Sequence, residues 1–233
     1  MERVPILKCS NITKSFRVRG KTIRVLHGAE LDVYPGELIV IKGRSGEGKS
    51  VLQWILSGID TPDSGEILFE GVSYSKLSGE EMSTLRRERI GLIFQNFNLI
   101  ESWTAMENVE SALLNSGLSP EEKREKAVSI LEKMDLGHRL DNLPVELSVG
   151  QQQRVAIARA LINEPSLIIA DEPTGSVDDE TAGEMLTILL SYVKDRNSAM
   201  VVTTHGHFTG EHLADRIYSI KEGRLYSATQ VQA

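Results

Sequence analysis

The residues Gly43-Arg44-Ser45-Gly46-Glu47-Gly48-Lys49-Ser50 satisfy the spacing G-x-x-x-x-G-K-[ST]. Such a stretch suits phosphate binding. Glycines let the backbone wrap closely enough for N–H groups to point at phosphate oxygens. A helix that starts at the end of the loop adds its positive pole. Lys49 is then placed to reach the β- and γ-phosphates of a nucleotide, and the Ser50 hydroxyl to ligate Mg²⁺. Glu47 is an unusual member, because a carboxylate beside phosphates is unfavourable, and its side chain is expected to face outward. A pair of acids closes the apolar run Leu167-Ile168-Ile169-Ala170-Asp171-Glu172. Ligands of an open α/β sheet sit at the carboxyl ends of its strands. Asp171 is thereby placed to hold Mg²⁺, directly or through water, and Glu172 to polarise an attacking water. A third device is Ser148-Val149-Gly150-Gln151, ahead of a helical stretch. The Ser148 hydroxyl suits an N-cap, and with the free N–H groups of the first helical turn it makes a second anion site.

Positioning these groups takes strands that end on the loops and helices that start from them. Leu38-Ile39-Val40-Ile41 and Ser166–Ala170 are uninterrupted apolar runs, the pattern of strands buried on both faces in a parallel sheet. Ala199–Thr203 reads as a third such strand. Helices are expected at Ser50–Ser57, Gly79–Arg89, Gln151–Ile162 and Thr181–Asp195, with a short strand at Ile90–Phe94. The first strands are expected at Ile6–Ser10 and Arg24–Val33, separated by a polar segment at Arg17–Lys21. Residues from Asn96 to about Leu147 read as helical, with Met106, Val109, Leu113 and Leu114 recurring at spacings of three and four. Ile217–Ile220 and Arg224–Ser227, around Glu222-Gly223, resemble a terminal hairpin. Strands alternating with helices are the α/β signature. The expectation is one domain over residues 1–233, with a helical subdomain at about 96–150 inserted in the core.

Composition narrows the function classes. The chain has 233 residues and a formal net charge of −7, which argues against a general affinity for nucleic acid. Its one cysteine, Cys9, allows no intramolecular disulfide and fits a reducing compartment. No apolar run approaches a bilayer-spanning length, and the Met1–Lys8 stretch is too interrupted for a signal peptide. The expected location is cytoplasmic, with any membrane role exercised through a partner. No Asn-Lys-x-Asp guanine motif is present, which disfavours a GTPase, and no Cys/His spacing suggests zinc. Trp54 reads as a packing residue, Trp103 equally as packing or as an exposed anchor for a membrane partner, and His27, His138, His207 and His212 as ordinary histidines.

The ordered set of Gly43–Ser50, Gln95, Leu147–Gln151, Asp171-Glu172 and His205 resembles the ATP-binding-cassette (ABC) ATPases over essentially the whole chain. Gly175-Ser176-Val177-Asp178 looks like that family's D-loop, and Phe16 stands where an adenine-stacking aromatic is usual. Asp171-Glu172-Pro173-Thr174-Gly175 and Ala156-Ile157-Ala158-Arg159-Ala160-Leu161 most resemble the branch of lipoprotein-release, macrolide-export and cell-division ATPases. The resemblance implies a P-loop NTPase fold: a RecA-like α/β core, an antiparallel β subdomain and a helical subdomain. It implies a head-to-tail homodimer, with each ATP between the phosphate loop of one copy and Ser148–Gly150 of the other. Phe16, Gly43–Ser50 and Val51 would hold the nucleotide from one side; Ser148, Gly150, Gln151 and Asp178 would meet it, or signal across the dimer, from the other. Ser50, Gln95 and Asp171 would hold Mg²⁺. Glu172, His205, Gln95 and Lys49 would form the catalytic set. The partners implied are integral membrane permease subunits, placing the chain on the inner face of the cell membrane. A membrane complex that transmits force without moving cargo, or a soluble ABC ATPase, is the alternative. Four positions depart from the usual pattern: Val149 for glycine, Val51 for Thr, Gly206 for Asp after His205, and Phe16 for Tyr.

Overall fold

The computed structural model describes residues 3–206 and 208–228, so His207 lies outside the described residues. The chain opens on one long hairpin: β1 (Leu7–Val18) pairs antiparallel with β2 (Lys21–Val33) out to the Val18–Lys21 pair. Arg19 (φ 50°) and Gly20 (φ 77°) make the two-residue turn, both left-handed as tight hairpins require. The polar segment expected to separate two short strands is therefore strand and turn. Its side chains are largely solvated, so the apolar alternation that marks a strand is missing there.

β3 (Leu38–Lys42) leads into α1 (Lys49–Leu56). β4 (Ser64–Phe69) and β5 (Val72–Ser73) complete a four-stranded antiparallel sheet in the order β2-β1-β4-β5. The second sheet has six strands. β6 (Ile90–Ile93), β7 (Leu167–Asp171), β8 (Ala199–Thr204), β9 (Arg216–Lys221) and β10 (Arg224–Ala228) join β3 in the order β10-β9-β3-β8-β7-β6. From β9 to β6 every pairing is parallel, and β10 closes the edge as the antiparallel half of the expected terminal hairpin.

The apolar runs divide by alternate residues. Leu38, Val40, Ile168, Ala170, Met200 and Val202 face one cluster, while Ile39, Ile41, Leu167, Ile169, Val201 and Ala199 face another. The first cluster is completed by α3 (Ala105–Glu110), α4 (Pro120–Lys133), α5 (Val149–Leu161) and α6 (Asp179–Asp195). The second is completed by α1 and the inner face of the antiparallel sheet, including Leu7, Ile12, Leu26 and Phe69. The central sheet is thus covered on both sides, which is why its strands read as continuous rather than alternating. α2 (Gly79–Arg89), which feeds β6, begins in a capping box between Ser78 and Glu81 and has no buried residue.

The insert is less helical than its sequence suggests. Between 96 and 147 only α3, α4 and two short 3₁₀ turns, Ser111–Leu113 and Pro144–Glu146, are helical. Leu113 is buried but Leu114 is 54% exposed, because the backbone turns extended (ψ 134°) at Leu114 and takes it off the apolar stripe. Thr104 and Ser119 each form a capping box with the glutamate three residues on. The insert is therefore a set of short, individually capped helices. Among the described residues no helix is long and apolar enough to cross a membrane.

Candidate functional site

Because β3, β8, β7 and β6 are parallel neighbours, their carboxyl ends emerge together at one edge of the sheet. β3 ends on the loop Gly43–Gly48, β8 on His205, β7 on Glu172, and β6 two residues before Gln95. Four segments distant in sequence are thereby delivered to one crevice, the place where such sheets bind ligands.

The loop is built for close approach. Gly48 caps α1 in the left-handed region (φ 102°), and a Cβ there would lie 3.1 Å from Val25 Cγ1 and 3.2 Å from Leu26 Cδ2. Lys49 is buried, and its Nζ donates to the carbonyls of Gly43 (2.7 Å) and Arg44 (3.0 Å), which curls the loop around the ammonium. Ser50 is exposed at the first turn of α1. Glu47 does not face outward as expected. Its Oε2 turns back to accept the Arg44 N–H at 2.8 Å.

Glu172 is the hub of the facing wall. Its main-chain N–H donates to Thr203 O at 2.9 Å, and its φ of 48° is a costly conformation for a side-chain-bearing residue. That turn lifts the carboxylate off the end of β7. There Oε2 accepts Gln95 Nε2 at 3.1 Å, and Oε1 accepts the His205 main-chain N–H at 3.2 Å and also contacts His205 Nδ1. The Glu172 side chain is 9% exposed and that of His205 59%. The structure thus brings Gln95, Glu172 and His205 into one hydrogen-bonded cluster. Asp171 sits beside it, with Oδ1 accepting the Thr203 hydroxyl at 2.5 Å.

These groups line a common cleft of about 500 Å³ that also includes Phe16, Ser45, Gly46, Gly48, Lys49, Ser50 and Val51. The aromatic face of Phe16 therefore stands at the same opening as the phosphate loop, with Lys14 Nζ 5.4 Å from its ring centroid. Two further walls are Val25, which the sequence did not single out, and Trp54, which it assigned to packing. Trp54 is 43% exposed and so is not the packing residue it was expected to be. It lies one turn beyond Ser50 on α1, a spacing that could have placed it at the site.

Ser148, Gly150, Gln151 and Asp178 are not brought into this cleft; they form a second locus. Ser148 caps α5, its Oγ accepting the Gln151 N–H at 3.2 Å while Gln151 Oε1 accepts the Ser148 N–H at 3.0 Å. The box consumes two N–H groups; those of Val149 and Gly150 belong to the first helical turn, which has no intrahelical acceptor. Val149 is 47% exposed. Asp178 caps α6 by accepting the Thr181 N–H (3.0 Å) and hydroxyl (2.8 Å), which lower its pKa. A Cβ on Gly150 would come within 3.2 Å of Thr181 Cγ2, so the starts of α5 and α6 abut. The phosphate-loop cleft and the capped start of α5 are thus two separate loci.

Sequence reading also missed what holds the segment after Gln95. Phe97 (φ 60°) and Asn98 (φ 48°) are consecutive left-handed residues. Arg159, on α5, donates to both of their carbonyls at 2.6 Å. Burial lowers the pKa of this guanidinium. Buried Asn108, on α3, accepts the Ile100 N–H at 2.7 Å and donates to the carbonyls of Ile100, Trp103 and Thr104. The loop from 97 to 104 is thus braced from two helices.

The family described as ABC transporter matches residues 26–175. The macrolide export ATP-binding/permease protein MacB of Brucella melitensis biotype 1 is 41% identical over 229 residues, which is 98% of this chain but 35% of that protein. The chain thus spans about a third of the length of the MacB relatives it matches. The lipoprotein-releasing system ATP-binding protein LolD of Rickettsia bellii is 41% identical over 220 residues, covering 94% of this chain and 97% of that protein. Among solved structures, the dimeric post-hydrolysis state of the ATP-binding cassette MJ0796 bound to ADP and Pi superimposes with a TM-score of 0.89. Its identity is 34%, over 97% of this chain and 100% of that one. Fold and sequence kinship converge, and the chain belongs to the ABC transporter family.

Proposed function

We propose that the chain hydrolyses ATP as a head-to-tail homodimer and passes the resulting motion to a membrane-embedded permease, as the peripheral subunit of a lipoprotein-release or macrolide-export type of transporter. The observation that carries the reading is the Gln95–Glu172–His205 cluster across the cleft from the phosphate loop. In this reading residues 1–233 act as one cassette, and the insert at 96–150 is its moving arm.

The residues fit a hard divalent cation. Ser50 and Asp171 offer oxygen donors at one opening, and Gln95, having given its Nε2 to Glu172, has Oε1 to spare. No cluster of three or more His, Cys, Asp or Glu side chains suited to a metal occurs among the described residues. That donor set suits Mg²⁺ shared with phosphates rather than a metal caged by protein alone. Bound there, Mg²⁺ would neutralise charge on the β- and γ-phosphates. The protein does the remainder. Lys49 and the loop N–H groups hold the phosphates, and Phe16 stacks on the base. Glu172 accepts a proton from the attacking water. His205 fixes the Glu172 carboxylate and reaches toward the γ-phosphate. Ser148 and Gly150 of the second copy close over the γ-phosphate, and Asp178 lies beside that contact.

The similarity to MJ0796, a dimeric cassette with ADP and Pi, supports the dimer. The names of the relatives support the permease: one joins ATP-binding to permease, and the other is the ATP-binding protein of a releasing system. Purification from native membranes should recover the chain with a multi-span integral protein in stoichiometric amount. Recovery with ribosomes or DNA instead would favour the soluble alternative.

The docking surface proposed for the permease is the braced loop and the adjoining insert. Arg159 carries two charge-assisted bonds, each worth about 1.5–3 kcal/mol. Arg159→Met should therefore speed amide exchange in residues 97–104 by about tenfold or more, while exchange in β3 and β8 stays slow. Hydrogen-exchange mass spectrometry reads both segments in one experiment.

A further inference from the structure

Behind the proposed metal ligand lies a buried polar chain that the mechanism above does not use. Gln53 is 7% exposed on α1, and Thr203 is fully buried on β8. Gln53 Nε2 donates to Thr203 Oγ1 at 2.7 Å, and Thr203 Oγ1 donates to Asp171 Oδ1 at 2.5 Å. Thr203 and Asp171 are direct neighbours in the β7–β8 register. An ionised carboxylate accepts and cannot donate, so the Thr203 proton must point at Asp171. The Thr203 oxygen is then available only as an acceptor, so Gln53 must turn its NH₂ inward. Each member fixes the next, and the direction of the chain is set by the carboxylate.

Two consequences follow. Oδ1 of Asp171 is engaged within the protein, and Asp171 lines the cleft, so Oδ2 is the oxygen left uncommitted to Thr203. The relay also ties α1 to β7 through β8. Gln53 lies one turn after Ser50 on α1, so the two candidate metal ligands, Ser50 and Asp171, are joined through it.

We propose that Gln53 and Thr203 are positioning residues that restrict Asp171 to single-oxygen engagement of the metal, and so favour Mg²⁺ over larger divalent cations. Mg²⁺ demands near-octahedral geometry and keeps its waters, whereas Ca²⁺ accepts a carboxylate through both oxygens. A carboxylate with one oxygen already committed suits the first and handicaps the second. The proposal rests on the reading of Asp171 as a metal ligand.

The test measures nucleotide binding by calorimetry as a function of Mg²⁺ or Ca²⁺, in the full chain. Thr203→Val removes the hydroxyl at nearly constant volume. It should raise the half-saturating Mg²⁺ concentration about tenfold. It should also narrow the gap between Mg²⁺ and Ca²⁺, with metal-free nucleotide affinity unchanged. Thr203→Ser keeps the hydroxyl and should stay within about twofold of the parent. A purely structural role would lower the denaturation midpoint without moving the metal dependence. Should Thr203→Val fail to fold, Gln53→Met should give a smaller shift in the same direction, since it removes the donor that polarises the Thr203 hydroxyl while leaving the Thr203–Asp171 bond in place. Asp171→Asn separates the two levels. If it shifts the Mg²⁺ dependence while neither relay variant does, the relay is overturned and the ligand assignment stands. If Asp171→Asn shifts nothing, the ligand assignment falls and the relay falls with it.

Discussion

Glu172→Gln should slow phosphate release from ATP by about a thousandfold, the range a positioned general base supplies, while nucleotide affinity is retained. The substitution keeps size and shape. The new amide has a single oxygen, which can keep the His205 N–H while its NH₂ faces Gln95; Gln95 can then turn its own amide to accept, so the cluster survives in outline. What it loses is the capacity to take a proton and its negative charge. Loss of charge also removes repulsion toward a triphosphate across the cleft, because like charges a few ångströms apart cost about 4 kcal/mol at an effective dielectric of about 20. The variant should therefore accumulate an ATP-bound dimer that the parent only visits. Phosphate release and size-exclusion chromatography with ATP and Mg²⁺ check both halves. Turnover close to that of the parent would falsify the role given to Glu172.

What the sequence disclosed and what it hid follow the range of the interactions involved. The phosphate loop and the acids after β7 were legible because each is written in a few adjacent residues: a glycine spacing, or an apolar run that ends in charge. Ser148 was legible as a cap because the partner of a cap lies three residues away, and Gln151 does take that position. The relay was not legible, because Gln53 and Thr203 are 150 positions apart and nothing in either local stretch names the other. The Arg159 brace on Phe97 and Asn98 spans 62 and 61 positions and ends on main-chain carbonyls, which leave no mark on side-chain pattern. Leu114 misled for a related reason. Its spacing fits the stripe of Met106 and Val109, but the 3₁₀ turn at Ser111–Leu113 breaks the period just before it. Glu47 misled through the assumption that a carboxylate must avoid an anion site, when the loop's own N–H groups can donate to it.

Ser148→Asp should abolish ATP-driven dimer formation and leave nucleotide binding to the isolated chain within about twofold of the parent. The two loci divide the labour. Ser148 stands outside the cleft formed by Phe16, Lys49 and Glu172 among the described residues, so a change at the start of α5 leaves that cleft intact. Asp is as good an N-cap as Ser, and its charge is favourable at a helix start. The fold should therefore tolerate the substitution, with a urea midpoint equal to or above that of the parent. What the carboxylate cannot tolerate is a γ-phosphate brought up by a second copy. At an effective dielectric of about 20 a charge pair at about 4 Å costs about 4 kcal/mol, and a symmetric dimer incurs it twice. That is about a thousandfold per interface site, enough to empty the dimer at micromolar protein. Combining Ser148→Asp with Glu172→Gln gives the cleanest reading, since hydrolysis no longer competes. Scattering with ATP and Mg²⁺ should show dimers for Glu172→Gln alone and single chains for the double variant. A double variant that still dimerises with ATP would mean that the γ-phosphate is completed within one chain, and the two-locus geometry would need another explanation.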